Sequence, residues 1–241
     1  MSEMVRRYVR QKLGSPGTLI VLGLLALFAA LPLNANGGFG LPATLAVLVL
    51  AAGSVSRDVS SGAIQMILSR PLKRSEYLFG RYAGTLLVFL GFLVATVLVA
   101  FLLGRVVLRS PLPEGPEGPV FSWSAAGRGL VEAFFAGALL AAIVLFFSTF
   151  LRGWGDFLSP ILCTILLGSA ATVGQALHKP KLVEASQFVS RNLYPSPDWN
   201  QILHGKEILT PTTSQFFLAL AAYLTLATLV FNRREFSYGQ D

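Results

Sequence analysis

No charged residue stands between Lys12 and Arg57. A bilayer's hydrocarbon core is about 30 Å thick, and a helix crosses it with roughly 20 apolar residues. The run is therefore too long for one crossing. Pro32 and the sequence NANGG (Asn34 to Gly38) divide it, because Pro, Asn and Gly favour turns. The same reading along the chain predicts spans over about 17–33, 41–56, 77–103, 125–151, 157–177 and 213–232. In lipid every backbone N–H and C=O must be bonded within the chain, so helices are expected throughout. The expected fold class is an all-α integral membrane protein: one transmembrane domain over residues 1–241, with six transmembrane helices. Residues 1–16 form an amphipathic N-terminus, 57–76 a connecting loop, and 178–212 a long loop before the last span.

Composition agrees with this pattern. Of 241 residues 54% are hydrophobic and only 13% charged, roughly half the charged share of a soluble domain. The formal net charge is +7. In a membrane protein that excess is explained by basic loops beside anionic lipid headgroups, so no nucleic-acid partner is expected. Cys163 is the single cysteine, which excludes an intrachain disulfide. The first apolar run lacks a small-residue cleavage site and reads as a retained helix.

Charge also orients the chain. Arg6, Arg7, Arg10, Lys12, Arg57, Arg70, Lys73, Arg74, Arg81, Arg152, Arg233 and Arg234 fall on one side of the predicted spans. Arg105, Arg109, Arg128, Lys179, Lys181, Arg191 and Lys206 fall on the other. The first set is larger and crowds the span ends, so both termini and the 57–76 loop are expected in the cytoplasm. Trp123 and Trp154 sit at predicted span ends, as interfacial aromatics do.

Within that loop, Ala63, Ile64, Ile67 and Leu68 share one face of a helix over about 59–70, opposite Ser61, Gly62, Gln65 and Ser69, with Pro71 at its end. A helix of this length is marginal alone in water and needs a surface to pack on. Lipid is one candidate; the groove of a soluble partner is the other. The segment VRRYVRQKL (Val5 to Leu13) is a second basic amphipathic helix, suited to a membrane surface.

The spacing of Asp58, Gly62, Leu68, Pro71, Arg74, Tyr77, Gly80 and Arg81 resembles the cytoplasmic loop of type-2 ABC exporter permeases. The six-span layout and the long loop before the last span resemble that family too. It usually has Glu where Asp58 stands, and Lys is common where Arg81 stands. The resemblance implies that the loop is a coupling helix seated in a cleft of a separate ATPase. Ile64, Ile67 and Leu68 would be its docked face, and Arg57, Asp58 and Arg70 its flanking charges. Gly62, Pro71 and Arg74 complete the implied ATPase-coupling contact. It further implies two ATPase copies carrying ATP and Mg, a second permease forming a homodimer, membrane lipid around them, and residence in the plasma (inner) membrane of a prokaryote. The chain itself is not expected to be an enzyme or to hold a cofactor. It has no G-x-x-x-x-G-K-[ST] phosphate loop; around His204 to Glu207, Asn200 replaces the first Gly and Glu207 the Ser or Thr. Two other classes stay open: a polytopic membrane enzyme, disfavoured by nearly charge-free spans, and an ATPase-independent channel or scaffold.

Thr164, Ser169, Thr172 and Gln175 are the mild polar residues of the fifth span. They are either part of a translocation path or interhelical hydrogen-bonding groups. Glu132, one turn after Arg128, is expected to pair with it. Asp156 reads as a loop or cap residue. Gly80 and Gly84 have the spacing that lets helices approach closely. Leu182, Ala185, Val189 and Leu193 recur at helical spacing and predict a short amphipathic helix in the long loop. His178 and His204 lack companions at metal-ligand spacing, so no metal is expected.

Overall fold

The computed structural model describes residues 2–34, 39–60, 73–106, 123–151, 155–199, 202 and 210–233. About 90% of these are helical and none lies in a strand. In chain order the helices are α1 (Ser2–Leu13), α2 (Pro16–Asn34), α3 (Gly40–Ala51), α4 (Ser56–Ser60), α5 (Arg74–Val106), α6 (Trp123–Phe150), α7 (Gly155–Ala176), α8 (Pro180–Leu193) and α9 (Pro211–Arg233).

Four helical stretches are long and apolar enough to cross a membrane: Gly40–Val59, Arg74–Gly104, Trp123–Phe150 and Pro211–Arg233. A fifth is counted when Glu3–Leu13 and Pro16–Leu31, bent by 78°, are taken as one broken span. Within α7 the apolar stretch Leu158–Val173 is shorter. The described residues are thus helical with no strand, their apolar helices suit a multi-pass membrane protein, and helices occupy each of the predicted spans.

The boundaries follow local chemistry. Helix α1 carries Glu3 in its first turn and Arg10 and Lys12 in its last, both favourable to the helix dipole. Pro16 then starts α2, a position where its missing N–H is no loss. The expected span over 41–56 is not one helix. It stops at Ala51, turns through residues 52–55 and resumes as α4. Gly53 makes the turn at φ 68°, a left-handed conformation that costs little only for glycine. The predicted helix of the long loop is α8, with Pro180 in its first turn.

Two compact units divide the chain: Met1–Leu50 with Gly80–Ala141, and Ala51–Phe79 with Ala142–Asp241. In the first, Ala29, Ala30, Ala46, Val47, Phe89 and Leu93 are buried. Gly137 permits this packing, since a Cβ there would strike the Phe89 ring and lie 2.9 Å from Val47 Cγ2. In the second, Trp199 is buried edge-on against Phe216, with ring centres 5.4 Å apart, so the long loop is pinned to α9 by an aromatic pair.

Candidate functional site

The segment expected to form the amphipathic loop helix, with Gly62, Ile64, Ile67, Leu68, Arg70 and Pro71, lies outside the described residues. Its two flanks do not, and both belong to the second unit. On the incoming flank, α4 is short. Its first N–H groups have no helical acceptor, and a side chain supplies one: Ser148 Oγ of α6 accepts from the Val55 and Ser56 N–H groups at 3.1 and 3.0 Å. This fixes α4 and so places Asp58, which is buried. The Tyr77 hydroxyl, from the outgoing flank, donates to Asp58 Oδ2 at 2.7 Å. A short bond to a carboxylate oxygen is among the stronger hydrogen bonds.

Tyr77 is fully buried, and its ring stacks on Phe231 of α9 at 5.7 Å. Three residues earlier, Arg74 Nη1 donates to the Asn232 carbonyl at 2.9 Å and reaches the Phe231 carbonyl at 3.5 Å. Those carbonyls end α9 and have no partner within the helix, so a cation there is doubly favourable. Arg57 is exposed beside Asp58. The two flanks are therefore joined to each other through Asp58 and Tyr77, and the outgoing flank is tied to the end of the last helix.

The remaining motif positions, Gly80 and Arg81, lie in the first unit, where they seat α1. A Cβ at Gly80 would lie 2.9 Å from Met4 Cβ, and one at Gly84 would lie 2.7 Å from Tyr8 Cδ1. Only glycine lets the two helices come this close. Tyr8 is buried in the notch. Its hydroxyl donates to the Leu50 carbonyl, and Thr85 Oγ1 stands 2.9 Å from its oxygen. Arg81 lies over the Tyr8 ring at 5.2 Å and donates to Gln11 Oε1 at 3.1 Å. Arg6, Arg7 and Arg10 remain exposed.

A family model for a protein of unknown function, DUF2705, matches residues 33–236. The chain belongs to the DUF2705 family. The match spans both flanks of the loop and both pieces of the second unit. No curated protein matches the chain.

Elsewhere in this DUF2705 protein the four predicted path residues lie on α7. Thr164 turns its hydroxyl onto the Pro160 carbonyl at 2.8 Å, and Ser169 turns its own onto Leu166 at 3.0 Å. Bonds of this kind satisfy hydroxyls within their own helix. All four of Thr164, Ser169, Thr172 and Gln175 are exposed, and among them Thr164 lines a cavity of about 450 Å³ with Ala171 and residues of α8. The expected Arg128–Glu132 ion pair is not formed among the described residues. Arg precedes Glu on the helix, the weaker orientation for such a pair. Glu132 instead lines a separate cavity of about 440 Å³ in the first unit, beside Thr44 and Phe89. The described residues contain no His, Cys, Asp or Glu group able to hold a metal ion.

Sequence reasoning included Tyr77 in the motif but missed its partner Phe231. The pairing is long-range: Arg74, on the same turn of α5 as Tyr77, contacts Phe231 across 157 positions. No local pattern carries such a pairing. Tyr8 was equally inconspicuous; its one signal was an aromatic residue inside a basic segment, near a Gly-x-x-x-Gly further along.

Proposed function

We propose that this DUF2705 protein is the membrane-spanning permease subunit of an ATP-binding cassette exporter. It has six spans and cytoplasmic termini, and resides in the plasma membrane of a prokaryote. A separate ATPase, in two copies, holds ATP and Mg and supplies the hydrolysis. A second permease copy completes the assembly. The observation that carries this reading is the fastened base of the 61–72 loop. A segment that passes on force must not swivel at its ends, and here both ends are held by directional contacts: Asp58 with Tyr77, which is buried, and Arg74 with the end of α9, which is partly exposed. Motion of the loop would then reach the membrane helices as a rigid-body shift rather than be lost in its hinges. A loop that merely rested on lipid has no need of such a base.

The test is co-purification in detergent of the wild type beside the double variant Ile64→Asp, Leu68→Asp. Bound proteins are identified and assayed for ATP hydrolysis. An ATPase that accompanies the wild type and is lost from a folded variant is the expected result. If no ATPase accompanies either chain, the proposal is wrong.

A further inference from the structure

Helix α8 is amphipathic and exposes apolar as well as polar side chains. Leu182, Phe188 and Val189 are exposed, at 39%, 70% and 39%, while the residue buried on this helix is Ser186. Apolar exposure of this kind suits a helix whose outward side meets lipid chains. Buried Ser186 and the more exposed Gln187, Ser190, Arg191 and Tyr194 line the 450 Å³ cavity, with Thr164 opposite on α7.

We propose that this cavity binds a phosphate-bearing, hydroxyl-rich headgroup, held at its phosphate by Arg191. Among the described residues Arg191 is the one charged residue lining the cavity, and no carboxylate pairs with it. A guanidinium presents parallel N–H donors that match two phosphate oxygens. Ser190, Gln187 and Tyr194 add donors and acceptors for hydroxyls. Ser186 already donates to the Val183 carbonyl at 2.8 Å, so its oxygen is an acceptor for a ligand hydroxyl. Among the described residues no Asp or Glu lines the cavity to meet an ammonium, so a zwitterionic headgroup leaves its positive end unmatched there. The volume suits a glycerol phosphate with room for ordered water. The headgroup can belong to an anionic lipid, whose chains would lie along the exposed Leu162, Ile165 and Leu166 of α7, or to a free polyol phosphate. This inference rests on the cavity and not on the ATPase reading, so either can fail alone.

Native mass spectrometry of the delipidated full chain decides it, with phosphatidylglycerol, phosphatidylcholine and glycerol 3-phosphate as probes. The wild type should retain one phosphatidylglycerol with affinity roughly tenfold or more above phosphatidylcholine, as one charge-assisted contact implies. Arg191→Gln should abolish that preference, Arg191→Lys should keep part of it, and Ser190→Ala should weaken it in a chain whose fold is undisturbed. Competition by glycerol 3-phosphate that depends on Arg191 identifies a free phosphate as sufficient. Binding of the lipid without such competition identifies the lipid. Equal retention of the two lipids, or a preference that survives Arg191→Gln, overturns the proposal.

Discussion

Tyr77 and Asp58 are both buried, and one hydrogen bond satisfies a polar atom on each. Removing the hydroxyl takes one donor from a buried carboxylate, and a hydrogen bond to a charged group contributes about 1.5–3 kcal/mol. Tyr77→Phe should therefore lower the thermal midpoint of the purified protein clearly. It keeps the ring on Phe231, so the loss reports the hydrogen bond alone. A midpoint unchanged within error would mean that Asp58 does not hold the loop base. Tyr194 makes a second prediction. Burial raises its pKa above the ordinary phenol value, and the hydrogen bond with Thr164 opposes this only in part. The folded state thus holds the phenol proton more tightly than the unfolded chain does. Its contribution is present below about pH 10, where the unfolded phenol is still protonated, and is lost as pH rises through the higher folded value. Thermal midpoints measured from pH 8 to 11 should fall more steeply in the wild type than in Tyr194→Phe. Of these residues, Tyr77 was legible as a motif position because its spacing from Pro71 and Gly80 is local. That its ring would meet Phe231 was not, because nothing in a sequence window reports what lies 157 residues away from Arg74.

Among the elements, α1 is the one whose sequence and structure tell different halves of the account. Its charge pattern announces a membrane-surface helix, and Arg6, Arg7 and Arg10 are indeed exposed. The docking of Tyr8 into the glycine notch of α5 depends on three-dimensional fit, which composition does not encode. Gly84→Ala places a methyl 2.7 Å from the Tyr8 ring, so ring or backbone must shift. Overpacking of this order costs about 1–3 kcal/mol. Limited proteolysis between α1 and α2, in detergent, should be faster in this variant than in the wild type. Equal rates would show that α1 is held by lipid or detergent alone. Helix α3 offers the complementary lesson. Its apolar run had no visible stop before Ser56, yet the turn falls at Gly53, because a positive φ and the Ser148 hydroxyl together favour ending one helix and starting another. The glycine was visible; the Ser148 hydroxyl that accepts from the Val55 and Ser56 N–H groups was not.

At the scale of the molecule, the helical class, the apolar segments and their order were all readable from hydropathy, since the bilayer imposes lengths that few other environments demand. Sidedness was readable only as a charge bias. It is open to a direct check: in a Cys163→Ser background, single cysteines at Ser2 and at Ser237 should react equally with an impermeant thiol reagent. Both should be protected in intact cells and labelled in inverted membranes. Labelling of one but not the other would mean an odd number of crossings and remove the six-span arrangement. What hydropathy does not reveal is which polar residues face a cavity. Thr164 and Ser169 look alike in sequence, and only packing against α8 gives Thr164 a different environment.

The tie between Arg74 and the end of α9 also has a temporal side. Residues 231 and 232 are synthesised long after the loop they secure, because a chain emerges from its N-terminus onward. Until they arrive, the stack of Tyr77 on Phe231 and the contacts of Arg74 with the end of α9 cannot form. A chain interrupted before α9 would carry an intact loop sequence on an unfinished footing. Completion of the last helix is thus written into the geometry of the connection between α4 and α5, and a chain that lacks α9 is distinguishable from a complete one at the base of that connection.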